Sequence, residues 1–339
     1  MINRIYQLVR PKLVAVKYSD LPFEQDEIIV RPRYMSICHA DQRYYWGQRS
    51  SDVLQKKLPM ALIHECCGIV EFDPSGTFLP GQLVVMIPNI PPPQYPEYIY
   101  ENYAIGAHFR SSGYDGFMQE LVSISPDRVL PVKGIQPLTA AIIEFVSVAI
   151  HAVSRFILTS HTQKNSIGIW GDGGLSYVLA NVLRHKLPQA RIIIVGRHPE
   201  KLSMFTFAQQ TELSDNLPVQ FAVDHAFDCT GGEGSTYAID DIIRTIRPQG
   251  TVMLLGVTEN KVPIDTRNIL EKGLNFIGCS RSGRNDFIEA LDTVSDPKVQ
   301  RYLEAIISDS GVVRTISDIH RVFLEDLNNP FKTSFVFDI

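Results

Sequence analysis

Ile167-Gly168-Ile169-Trp170-Gly171-Asp172-Gly173-Gly174-Leu175-Ser176 is the stretch on which the fold turns. A short apolar run enters a glycine-rich turn and leaves it as an amphipathic helix, the order that dinucleotide binding requires. Gly171 permits the tight turn, and Gly173 lets the backbone approach a pyrophosphate held by the helix N-terminus. Asp172, Gly174 and Leu175 complete the expected cofactor loop. Ser176, small enough for close helix packing, stands in place of the fingerprint's third glycine.

A glycine-rich turn alone is a weak signal, and here the flanks strengthen it. From 165 to 279 short β-branched runs alternate with longer helix-like stretches, the pattern of βαβ units and a parallel sheet. Strands are expected at 166–170, 191–195, 225–228, 251–255 and 274–279, a sixth between 211 and 222, and helices near 175–185 and 234–246. The fold class is α/β: a doubly wound, parallel Rossmann sheet at 148–296 beside a mainly β domain at 1–147. In the latter, short strands such as 27–32, 68–72 and 83–87 are punctuated by Pro and Gly. Residues 297–339, ending in Ser334-Phe335-Val336-Phe337, are too few for a domain and are expected to complete the first one. The Pro-rich segment 88–96 reads as an exposed loop.

Bulk properties agree with two domains, since 339 residues, 45% of them hydrophobic, exceed one ordinary core. A net charge of -5 offers no general attraction to nucleic acid or anionic membrane, so any anion must be bound locally. Met1-Ile2-Asn3-Arg4-Ile5-Tyr6 lacks the apolar core of a signal peptide, and no apolar run approaches the roughly 20 residues that span a bilayer. A cytoplasmic protein is expected. Five scattered cysteines, at 38, 66, 67, 229 and 279, do not form a disulfide framework, which leaves thiol, packing or ligand roles.

Choice between NAD and NADP belongs to the end of the second strand, about 20 residues past the loop, where an acid would bond the ribose 2'-hydroxyl. The run Ile193-Ile194-Val195-Gly196-Arg197-His198 has no carboxylate there, and Arg197 offers a permanently charged fork for a 2'-phosphate, so NADP(H) is the expected cofactor. Lys201 either assists or is a solvated helix lysine. Cys229, within Asp228-Cys229-Thr230-Gly231-Gly232, and Gly256-Val257 follow successive strands at the carboxyl edge, where ligands of such sheets bind, and Ser280 follows the last strand. Cys229 reads as a small packing residue there rather than a nucleophile.

Three separated segments supply metal-binding chemistry. Cys38, His64 and Glu144 would fill three positions of a catalytic zinc and leave the fourth for water or substrate. Taken singly, they read equally as a core thiol, a satisfied buried histidine and an acid at a helix N-terminus, and no local spacing joins them.

Cys38-His39-Ala40-Asp41, His64-Glu65 with Gly68, and the nucleotide loop, in this order, resemble the zinc-containing medium-chain dehydrogenases over nearly the whole chain. The resemblance implies a GroES-like catalytic domain, with Cys38 and the His64-Glu65 pair as metal-site residues and Glu144 as the third ligand of sorbitol-type members. It implies too that Glu65 stays close to the zinc and binds it in some states, while Asp41 orients the ligands. Cys66 and Cys67, where the family is apolar, are read as core packing. Members with a structural zinc carry four cysteines in the region matching 89–112, and this chain has none there, so one catalytic zinc and no structural zinc are expected. Ala40 replaces the hydroxyl residue that relays a proton in the family, leaving a water, Ser36 or a tyrosine of Tyr44-Tyr45 for the relay.

Within that family the chain is most similar to the bacterial ribulose-5-phosphate reductases, through Tyr34-Met35-Ser36-Ile37-Cys38, Ala40-Asp41-Gln42-Arg43-Tyr44-Tyr45, Phe109-Arg110-Ser111-Ser112-Gly113, the 168–173 run and Ser280-Arg281-Ser282-Gly283. This implies zinc-assisted, NADPH-dependent reduction of D-ribulose 5-phosphate to D-ribitol 5-phosphate, for CDP-ribitol and teichoic acid or capsule synthesis. It also implies a homodimer, built across an edge strand near 274–279, and a cytidylyltransferase acting next in the pathway. A phosphorylated ketose needs cations, and Arg43, Arg49, Lys57 and Arg110 lie in segments expected to border the site, with Arg43, Tyr45 and Arg110 as the substrate candidates. Arg281 and Arg284 would instead reach cofactor phosphates.

Two other readings compete. An NAD-linked, sorbitol-type polyol dehydrogenase is permitted by Glu144 and opposed by the missing acid near Gly196. A zinc-free nucleotide-binding protein without enzyme activity is opposed by Cys38, His64 and Glu144 standing together in one chain.

Overall fold

The computed structural model describes residues 2–21 and 26–339, so Met1, at the head of the N-terminal stretch, lies outside the described residues. The chain divides into two compact units, Met1–Ser147 with Ser282–Ile339, and Val148–Arg281. No described helix is long and apolar enough to cross a membrane.

In the second unit a six-stranded sheet runs in the order Gln210–Leu213, Arg191–Gly196, Ser166–Trp170, His225–Asp228, Thr251–Leu254, Asn275–Gly278, with every pairing parallel. Ser166–Trp170 is buried at all five positions, as parallel strands covered on both faces must be, and this is why it reads as an unbroken apolar run. The chain leaves this strand to one side and later returns on the other, so the switch between Ser166–Trp170 and His225–Asp228 opens where the glycine-rich loop emerges. Helix Gly174–Lys186 is buried at every position from Ser176 to Leu183 and carries Arg184, His185 and Lys186 in its last turn, complementing the helix dipole. The sixth strand sits slightly earlier than expected: residues 214–216 form a 3-10 turn, and no strand continues to 222.

In the first unit the central strand is Ile28–Ser36. It pairs antiparallel with Glu65–Phe72 and with Lys332–Phe337, while Val122–Ile124 also joins it. Ser36 lies opposite both Glu65 and Ser334, so three strands distant in sequence end at one place, directly before Cys38. The 88–96 segment is only partly open: Asn89–Ile90 pairs with His108–Phe109, and Asn89 is buried. Helix Ile143–Thr159 begins in this unit with Glu144 in its first turn.

Candidate metal centre and cofactor loop

Cys38 caps the short helix His39–Tyr45, with φ -90° and ψ 149°, and its N–H donates to Asp41 Oδ2 at 3.3 Å. Asp41 is fully buried and fully employed. Its Oδ1 accepts from Ile63 N–H at 3.0 Å and from the Ser111 hydroxyl at 2.6 Å, and its Oδ2 stands 3.6 Å from His64 Nδ1. Ile63 has φ +70°, a costly conformation for a β-branched residue, held by Asp41 on its N–H and by Phe117 N–H on its carbonyl at 2.7 Å. The strained turn therefore delivers His64 next to Cys38.

One ligand atom each from Cys38, His64 and Glu65 lie within 4.8 Å of one another. Glu65 is buried at the start of its strand; Lys332 Nζ donates to its Oε1 at 2.7 Å, and Oε2 has no hydrogen-bond partner. Glu144, expected as the third ligand, is buried but is not in this group. Glu65, with one oxygen anchored by Lys332, lies in the group with Cys38 and His64, and Glu144 acts on His64 through its charge. Burial pushes the Glu144 carboxyl up to about 7, with His64 opposing and Glu65 adding to that rise.

Burial by itself would lower the His64 imidazole, but the negative charge of Asp41, then Cys38 and Glu144, holds it well above its usual value. A proton is drawn to where a cation would sit. Thiolate, imidazole and carboxylate make the mixed soft, borderline and hard donor set that zinc, a borderline ion, accepts, the unpartnered Glu65 Oε2 lacks only an electrophile, and with Nδ1 turned to Asp41 the other ring nitrogen is left for an ion. The residues fit a zinc ion.

Lys332 was not singled out in the sequence. It is itself buried, donates also to Ile37 O at 2.8 Å, and lies 4.6 Å over the Phe145 ring. A lysine heading a strand that ends in Phe335-Val336-Phe337 was its one available signal.

Several candidates are otherwise occupied. The Arg110 guanidinium donates to Asp115 O at 3.3 Å and Ser123 O at 3.4 Å and packs 5.5 Å from the Phe117 ring, a structural clamp rather than a substrate ligand. The Tyr45 hydroxyl pairs with His320 Nδ1 at 2.7 Å and its ring stacks on Phe323 at 4.4 Å, so it packs the core rather than meeting substrate. Ser36, a relay candidate, donates to Thr333 O at 3.1 Å. Arg43 turns toward Gln48 O at 3.5 Å. His39 lies below its usual value through burial, then through the positive charge of Arg43, with Arg49 adding to it. Cys66 and Cys67 are buried thiols whose pKa values burial raises, in keeping with packing roles.

In the second unit Gly171 has φ +122°, and a Cβ there would meet Ser176 Oγ at 2.8 Å and Cys229 O at 3.0 Å. Gly173, in contrast, would meet nothing within 4 Å, so its lack of a side chain leaves room for a ligand at the head of helix Gly174–Lys186. Asp172 Oδ2 accepts from Arg197 N–H at 2.7 Å, His198 N–H at 2.8 Å and His198 Nδ1 at 3.0 Å. It ties the loop to the end of the second strand, and those bonds outweigh burial to hold its carboxyl below the usual range. The Arg197 side chain is exposed and makes no ion pair among the described residues, and Lys201 lies one turn on, in Pro199–Leu202. Cys229, Gly256, Val257 and Ser280 follow the carboxyl ends of three strands of the same sheet; Gly232 N–H reaches Val257 O at 2.9 Å, and burial raises the Cys229 thiol.

Residues 24–134 match the family model for the alcohol dehydrogenase GroES-like domain, and 174–296 that for zinc-binding dehydrogenase. The ribulose-5-phosphate reductase of Streptococcus pneumoniae is 51% identical over 340 residues, covering 100% of this chain and 98% of the relative. That of Bacillus spizizenii is 44% identical over 331 residues, covering 97% of each. The crystal structure of S. aureus TarJ in complex with NADPH superposes with a TM-score of 0.88 at 40% identity over 100% of both chains.

Proposed function

The chain belongs to the zinc-binding dehydrogenases, in the branch that holds the ribulose-5-phosphate reductases, and on that premise we propose that it converts D-ribulose 5-phosphate, NADPH and a proton into D-ribitol 5-phosphate and NADP+. The observation that carries the reading is the meeting of Cys38, His64 and Glu65 in a chain whose full-length relatives are such reductases.

Cys38, His64 and Glu65 would hold one catalytic zinc, with Glu144 adding negative charge to the surroundings. Zinc supplies Lewis-acid polarisation of a ketone oxygen and NADPH the hydride. The Asp41 charge faces the His64 ring at 3.6 Å, and Lys332 holds Glu65 by one oxygen so that the other stays directed. Arg197, aided by Lys201, takes the 2'-phosphate, while Gly173 admits the pyrophosphate. With Ser36 and Tyr45 engaged elsewhere, water is the proposed carrier of the proton.

The proposal extends to a catalytic part at 1–147 completed by 282–339, earlier than the expected 297, a dinucleotide part at 148–281, and no structural zinc. It includes a cytoplasmic homodimer joined along the edge strand Asn275–Gly278, and a cytidylyltransferase as the next enzyme for CDP-ribitol and wall or capsule polymers.

Initial rates of NADPH and NADH oxidation with D-ribulose 5-phosphate, D-ribulose and fructose, with and without a zinc chelator, test it. Chelator-sensitive turnover confined to NADPH and the phosphoketose is expected. Preference for NADH and an unphosphorylated ketose would overturn it in favour of a polyol dehydrogenase, and absence of turnover in favour of a nucleotide-binding protein without activity.

A further inference from the structure

The residues 109–113 leave the metal centre in one direction. The Phe109 ring meets His64 edge-on at 5.4 Å, Ser111 bonds Asp41, and the Ser112 hydroxyl accepts from Lys57 Nζ at 2.8 Å. Lys57 ends helix Ser51–Lys57, and among the described residues it pairs with no carboxylate. Its ammonium stands 5.8 Å from the Tyr44 ring centroid, and the Arg49 guanidinium 5.1 Å from the same centroid. Tyr44 is buried while both cations are half-buried, so an aromatic floor carries two positive head groups beside a hydroxyl.

We infer that Lys57, Arg49 and Ser112, set over Tyr44, form the subsite for the phosphate of the sugar substrate. An ammonium, a guanidinium fork and a hydroxyl are the donors a phosphate dianion takes. Holding a lysine against a serine and a ring, with no carboxylate paired to it among the described residues, forgoes side-chain entropy that an incoming anion would otherwise have to overcome. Continuity places the subsite beside the metal centre: Ser112 adjoins Ser111, whose hydroxyl bonds Asp41, the acid that accepts the Cys38 N–H. Arg110, the cation with the most suggestive sequence context, is excluded because its guanidinium is spent on Asp115 O and Ser123 O.

The subsite rests on the reductase reading, and one experiment separates the two. The ratio of kcat/KM for D-ribulose 5-phosphate over D-ribulose is measured with NADPH for the wild type, Lys57→Met, Arg49→Met and the exposed neighbour Lys56→Met, alongside the NADPH dissociation constant. Lys57→Met and Arg49→Met are each expected to lower the ratio roughly 10- to 100-fold, through KM for the phosphate, with NADPH binding unchanged and Lys56→Met like wild type. A wild type without preference for the phosphate overturns the reductase reading and the subsite together. A wild type with that preference, retained in both variants, overturns the subsite alone. Should either variant fail to fold, Ser112→Ala removes only a hydroxyl and carries the same test with a smaller fall.

Discussion

Lys332 Nζ lies 2.7 Å from Glu65 Oε1, with the two side chains 5% and 0% exposed. Neither charge has water to solvate it, so each depends on the other, and the lysine is held above its usual pKa by Glu65 and Cys38 against the opposing effect of burial. Lys332→Met would leave the buried Glu65 carboxylate without the ammonium that donates to its Oε1. The denaturant midpoint should fall by the equivalent of about 3–5 kcal/mol, and Lys332→Met with Glu65→Gln should recover part of it. A double-variant loss equal to the sum of the two single-variant losses would show that the pair is not coupled.

Metal retention distinguishes the two candidate carboxylates. Since Glu65 joins Cys38 and His64 and has a free buried oxygen, Glu65→Gln should release zinc faster than Glu144→Gln, with Cys38→Ser and His64→Gln releasing it fastest. Zinc content after dialysis against a chelator measures this. The opposite order would make Glu144 the third ligand and Glu65 only its neighbour.

That contrast shows where the sequence is informative. Gly171 and the unbroken apolar strand before it were legible because φ +122° and burial on both faces are local demands that restrict residue type directly. Lys332 as the partner of Glu65 was not, because the two meet only through Ile28–Ser36 pairing on both its sides, across 267 positions of sequence. Arg110 misled for the same reason. Within Arg110-Ser111-Ser112-Gly113 it resembles an anion-binding arginine, yet Ser111 adopts φ +61° to reach Asp41, and the turn directs Arg110 inward.

Arg110→Met should accordingly lower stability without selectively raising KM for a phosphorylated substrate. Its guanidinium bonds two carbonyls in a largely buried setting, so a loss of about 1–3 kcal/mol is expected from leaving those acceptors unpaired. Thermal unfolding together with KM values for phosphorylated and unphosphorylated ketose decides between clamp and ligand. A KM rise for the phosphate alone, at unchanged stability, would restore Arg110 as a ligand.

His225 makes the second unit sensitive to acid. Its Nδ1 accepts the Thr251 N–H at 3.1 Å, so the proton resides on Nε2, which donates to Gln163 O at 2.9 Å; protonating Nδ1 would break the first bond. Burial, then the neighbouring His161 and Lys164, lower its pKa from 6.5 to about 4, against the opposing Gln163 bond and Asp224. Between those values the unfolded chain binds the extra proton and the folded chain does not. Stability is therefore intact above 6.5 and declines as pH falls toward 4, by up to about 3 kcal/mol from this residue. Denaturation at pH 7 and pH 5 should show a shallower decline for His225→Asn, which keeps an acceptor but does not titrate; parallel declines would refute the assignment.

Cofactor choice depends on what Asp172 does with its charge. A carboxylate beside the ribose would repel a 2'-phosphate, but Asp172 Oδ2 is saturated by Arg197 N–H, His198 N–H and His198 Nδ1, so its charge is directed into the turn. Those bonds fix the Arg197 backbone while its side chain extends into solvent. Arg197→Ala should weaken NADPH binding roughly 10- to 100-fold, the worth of charged hydrogen bonds to a phosphate, and change NADH binding little. Asp172→Asn should weaken both cofactors alike, because it loosens the turn without touching the 2'-position. Fluorescence titrations of both cofactors read these as a change in ratio against a change in scale. If Arg197→Ala weakened NADPH and NADH in parallel, the arginine would be supporting the loop rather than reading the phosphate, and the discrimination would have to come from Lys201.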